Sequence, residues 1–123
     1  MADGICEVRR RAAMSRVTVL LILTACAVLE TGGDALVRKG MQAGSAAGRG
    51  AFYLCAAVLL FAYGWLVNRP PWSFGSLLGV YVVLFFVVAQ VLGIAVFGEK
   101  LTLPVVAGGT LIVAGGLVIN FWR

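Results

Sequence analysis

Charge along this chain comes in blocks, and the stretches between the blocks are apolar. Six charges fall in residues 2–16 and five in 30–49, followed by Arg69, Glu99, Lys100 and Arg123. No charge interrupts 50–68, 70–98 or 101–122. An uncharged apolar run of about 18 residues or more is long enough to cross the hydrocarbon core as a helix. The pattern predicts an all-α, polytopic membrane protein with four transmembrane helices at 17–37, 50–67, 74–97 and 102–122. Residues 1–16 form a basic tail ahead of a transmembrane domain of 17–123, and the loops are 38–49, 68–73 and 98–101.

The loops carry their own signals. Asn68-Arg69-Pro70-Pro71-Trp72-Ser73 holds two prolines that stop the second helix. Gly98-Glu99-Lys100-Leu101 is so short that helices three and four must form a tight antiparallel hairpin. Thr102 is the expected N-cap of the last helix, with Pro104 in its first turn. At the other end, Arg9-Arg10-Arg11 and Arg16 resemble the basic start of a signal peptide, and Leu23-Thr24-Ala25-Cys26 fits a lipoprotein cleavage box. The apolar stretch runs on past Cys26, so an uncleaved first span is the simpler reading. Met14 is a second candidate initiator.

Composition narrows the function classes. Of 123 residues, 62% are hydrophobic, more apolar surface than a soluble domain of this size can hide. A soluble enzyme, a nucleic-acid reader and a secreted scaffold are excluded. The absence of His removes His-based catalysis and His metal sites, and no metal or cofactor is expected. Cys6, Cys26 and Cys55 are too scattered for a disulfide framework. The net charge of +5 points to juxtamembrane Arg facing anionic lipid, with no nucleic acid as partner. Arg9, Arg10, Arg11, Arg16, Arg69 and Arg123 fall on one side of the membrane, and Arg38, Lys39, Arg49 and Lys100 on the other. That bias is slight, as in a chain inserted both ways.

Within the spans, polar groups are few and therefore informative. Glu30 lies three residues past the centre of its span, about 4.5 Å along the axis. A carboxyl at that depth costs roughly 2.5–3.5 kcal/mol or more and must face a cavity or a partner. It either exchanges a proton or bonds a neighbouring helix. Asp34, one turn on, either shares the cavity or pairs with Arg38 four residues later. Gln90 is interhelical glue or a substrate contact. Tyr81, inside its span, lines a cavity where its ring could hold a cation, or packs in the core. Tyr53, Tyr63, Trp65, Trp72 and Trp122 lie near span ends and read as interface anchors. Gly108-Gly109 and Gly115-Gly116 recur seven residues apart, a smooth stripe suited to a dimer contact or to packing within the monomer.

These residues resemble the small multidrug resistance family of the drug/metabolite transporter (EamA-like) superfamily. The likeness rests on Glu30-x-x-Gly33-x-x-Leu36-x-Arg38 and on Gly98-Glu99-Lys100-Leu101-Thr102-Leu103-Pro104, followed by Leu111-Ile112, Gly115-Gly116 and Asn120. It covers spans one, three and four, and span two loosely. The resemblance implies a bacterial inner-membrane carrier, an antiparallel homodimer or a heterodimer with a paralogue, exchanging protons for a small cationic or amphipathic substrate at Glu30. Two departures stand out. The family's Tyr and Trp at the start of helix three are Leu78 and Tyr81 here, and its glycine pair is Val83 and Phe85, leaving Gly93 as the candidate hinge. A flippase-like carrier of a lipid-linked sugar or other headgroup, and a non-transporting membrane subunit, are the competing readings; an enzyme is not expected.

Overall fold

The computed structural model describes residues 1–6 and 14–122; Arg9, Arg10, Arg11 and Arg123, counted in the charge bias, lie outside them. Four helices dominate: α1 (Arg16–Gln42), α2 (Ala46–Val67), α3 (Phe74–Phe97) and α4 (Leu103–Phe121). Each is long and apolar enough to cross a membrane, and the chain is a multi-pass membrane protein.

The α3 span coincides with its predicted range, and α4 is one residue shorter at each end. The first loop differs more. Residues 38–49 were expected to be irregular, yet α1 continues to Gln42 and α2 starts at Ala46. Hydropathy marks where the chain leaves lipid, not where the helix ends, and Arg38 and Lys39 are good helix formers. At 27 residues α1 is about 40 Å long and carries its charged last turns out of the hydrocarbon layer. The Ser45 hydroxyl then caps α2 by accepting from the Gly48 N–H at 3.0 Å. Ser15 does the same for α1, accepting from Thr18 N–H at 3.1 Å.

The third loop closes as its length requires. Gly98 takes a left-handed conformation (φ 66°), and its N–H donates to Ile94 while Glu99 N–H donates to Gly93. Thr102 sits at the N-cap of α4 with Pro104 in the first turn, but its side chain makes no capping bond. α3 runs as unbroken helix through Gly93, the hinge candidate. The glycine makes room for the loop, since a Cβ there would lie 2.6 Å from Glu99 Oε2.

In space the order is α2, α1, α3, α4. The first helix is central, and among the described helices α4 packs on α3 alone. Close approach of α2 to α1 rests on glycine: Gly33 lies against Leu60 and the Ala56 carbonyl, and Gly40 against Phe52 and Tyr53. The tightest core joins Val19, Leu23, Cys26 and Ala27 of α1 to Val67 of α2 and to Leu77, Val80 and Tyr81 of α3. It fills the half of the bundle nearest Arg16 and Arg69. Toward the other end α1 and α3 part to leave a cleft.

Candidate functional site

Glu30 stands where that core ends. Buried Cys26, Ala27 and Thr31 surround it on α1, and the side chain turns inward rather than to lipid. The Tyr81 hydroxyl of α3 donates to Glu30 Oε2 at 2.5 Å. Tyr81 is only 4% exposed while Glu30 is half-buried, so the bond is partly shielded from water. A short hydrogen bond to a carboxylate, partly shielded from water, is among the stronger polar contacts a protein makes.

A third helix joins in. Tyr63 of α2 stacks on Tyr81 with ring centroids 5.8 Å apart, and Phe85 meets Tyr81 at 6.2 Å. The Tyr63 hydroxyl interacts electrostatically with the same carboxyl. The site is therefore one carboxyl with two phenols, contributed by α1, α2 and α3. Tyr63 was expected at the membrane interface and is instead part of the site. Ala56, Leu60, Tyr63 and Val67 follow the i, i+4, i+7, i+11 spacing of one helix face, the face that meets α1. That spacing was visible in the sequence, but in an all-apolar helix it competes with other faces. Trp65 is exposed, with the Arg69 guanidinium 3.9 Å from its ring.

Asp34 and Gln90 come together elsewhere. Both line a cleft of about 240 Å³ between the C-terminal halves of α1 and α3, with Thr31, Phe85 and Phe97. Of the two alternatives for Asp34, the pair with Arg38 is not formed. Arg38 Nη1 instead lies 3.4 Å from Glu99 Oε1, in the loop after α3. Sequence spacing favours the neighbour four residues away, but the α3–α4 turn brings a carboxylate that spacing could not show.

The four glycines of α4 divide. Gly109 and Gly116 are buried against Phe86 and Val83 of α3, while a Cβ added to Gly108 or Gly115 would meet nothing within 4 Å among the described residues. Asn120, on the same helix, buries its Oδ1, and no group among the described residues donates to it. No cluster of metal-ligating side chains occurs among the described residues.

No family model, no curated protein and no solved structure matches the chain. The chemistry must be read from the geometry. A carboxyl bonded to one phenol, with a second stacked on that phenol's ring, and partly buried at membrane depth can give up or accept a proton and can receive a cation against aromatic faces. Tyr81→Phe keeps the ring against Tyr63 and Phe85 and deletes only the donor. It is expected to lower stability by about 1 kcal/mol or somewhat more, read as the midpoint of SDS-induced unfolding.

Proposed function

We propose that this protein is a small carrier of the bacterial inner membrane that exchanges protons for a small cationic or amphipathic solute at Glu30, working as an antiparallel dimer. The observation that carries the reading is the 2.5 Å bond from Tyr81 to Glu30. It joins the costly intramembrane carboxyl to an aromatic cluster shared between helices, where exchange of a proton for a cation has a physical basis. The motif around Glu30 and the Gly98–Pro104 turn, similar to those of small multidrug resistance transporters, supports the same reading. Four helices in an open row enclose little volume, so a second copy would complete the chamber. The slight charge bias suits insertion of that copy in the opposite sense.

One observation favours a second reading, a flippase-like carrier. Between α3 and α4 runs an open groove of about 590 Å³, lined by apolar side chains such as Val91, Ile94 and Val113, with Gln90 and Thr110 as its polar side chains. Such a groove suits an acyl chain whose headgroup passes through the protein.

Proton release decides between them. Adding a lipophilic cation such as tetraphenylphosphonium to the detergent-solubilised protein is expected to release protons in weakly buffered solution, and Glu30→Gln to abolish the release. Silence across a panel of cations defeats the antiport reading. Scrambling of a fluorescent lipid in proteoliposomes would then favour the flippase. Silence in both assays would leave a subunit that only packs a partner.

A further inference from the structure

Arg38, Glu99 and Asp34 lie around one cleft, and only two of the three are paired. Arg38 lies near the C-terminal end of α1, while Glu99 follows α3, 61 residues on; they meet at 3.4 Å. The Phe97 ring lies beneath them, 5.2 Å from the Arg38 guanidinium and 5.8 Å from the Lys39 ammonium. Glu99 is held in place from below by its N–H bond to the Gly93 carbonyl and by the bare Cα of Gly93, on which its carboxyl rests. Asp34 faces the same cleft one turn before Arg38, and among the described residues it makes no hydrogen bond or ion pair. An acid four residues ahead of a base is the favourable helical order for a pair.

We propose that Arg38 is a two-position latch over the Asp34–Gln90 cleft. On Glu99 it ties the end of α1 to the α3–α4 turn and covers the cleft. On Asp34 it releases the turn and uncovers the cleft mouth. Both partners are carboxylates within reach of one flexible side chain, and the two arrangements differ by one ion-pair exchange. In the closed position the Arg38 and Glu99 side chains are each more than half exposed to solvent, so Glu99 does not hold Arg38 strongly. An exposed pair of this kind biases an equilibrium by at most about fivefold, which suits an element that must reverse. The latch needs only this cleft and its charges. It stands whether the cargo is a cation, a lipid headgroup or neither.

Accessibility of the cleft tests the latch without any transport assay. Ala35 lines the cleft, and Ala35→Cys in a background with Cys6→Ser, Cys26→Ala and Cys55→Ser gives one thiol to follow. In detergent, its labelling rate by a charged maleimide is expected to rise about two- to fivefold on Glu99→Gln. Gly93→Ala keeps every charge and evicts the Glu99 carboxyl by steric contact, and is expected to raise the rate in the same direction. Asp34→Asn removes the alternative partner and should slow labelling below the parent. The exchanged pair, Arg38→Glu with Glu99→Arg, should bring the rate back toward the parent. Unchanged or slower labelling in both Glu99→Gln and Gly93→Ala overturns the latch. Labelling that Asp34→Asn does not slow overturns the second position.

Discussion

Gly109→Leu combined with Gly116→Leu is expected to detach α4 from the bundle. A Cβ on Gly116 would run into Val83, and one on Gly109 would come 2.5 Å from the Phe86 ring. Overpacking at one such contact costs roughly 1–3 kcal/mol. The two sites are about 10 Å apart along the helix, far enough for their effects to add to about 2–6 kcal/mol. Among the described helices α4 packs on α3 only, so no other helix contact compensates. The expected readout is a large drop in the SDS midpoint, with α4 newly open to protease. Gly108→Leu with Gly115→Leu is the contrasting pair. These positions are open, so the monomer should hold its midpoint to within about 0.5 kcal/mol. Loss of cross-linked dimer in that pair alone would assign the open stripe to the assembly. An unchanged midpoint in the Gly109–Gly116 pair would mean that α4 docks by another face.

The split of these glycines shows what the sequence could and could not convey. The seven-residue recurrence told of a smooth surface, and both stripes exist. Neighbouring positions on a helix differ by about 100°, so Gly108 and Gly109 point to different surroundings, and composition cannot say which faces a partner. The spans were legible because the bilayer imposes length and apolarity together. The extension of α1 to Gln42 was not, since beyond the hydrocarbon layer helix and loop share the same polar composition. Glu30 and Tyr81 each stood out as polar groups at depth. Their bond depends on the relative height of α1 and α3, which core packing among Leu23, Leu77 and Val80 sets and no local pattern encodes. Tyr63 was hidden by a related difficulty: in an apolar helix every face resembles a core face. Arg38 illustrates the opposite error, in which a satisfactory neighbour four residues away hid a partner 61 residues away.

A series at Glu30 is expected to separate chemistry from packing, with activity falling by two orders of magnitude or more in a variant that folds as well as the parent. That variant is Glu30→Gln. The amide oxygen can still accept from Tyr81, the volume is unchanged, and only the exchangeable proton is lost; its SDS midpoint should stay within about 1 kcal/mol of the parent. Glu30→Ala behaves differently. It leaves the Tyr81 hydroxyl buried with no acceptor from α1, a penalty of about 1–3 kcal/mol, and opens space beneath the Tyr63–Tyr81 stack. Glu30→Asp keeps the acid but draws it back by one methylene, roughly 1.3 Å less reach, so the Tyr81 bond lengthens or breaks. If the carboxyl serves only to join α1 to α3, activity must follow stability: Glu30→Gln active, Glu30→Asp intermediate, Glu30→Ala worst. If it carries a proton, Glu30→Gln falls from the top of that order to the bottom. Glu30→Asp alone keeps measurable exchange, because it alone keeps an ionisable group on the inward face, and Glu30→Gln is as inactive as Glu30→Ala despite its intact fold. Proton-driven cation uptake into inverted vesicles, measured beside the unfolding midpoints, distinguishes the two orders. An active Glu30→Gln would reduce Glu30 to a bond between helices.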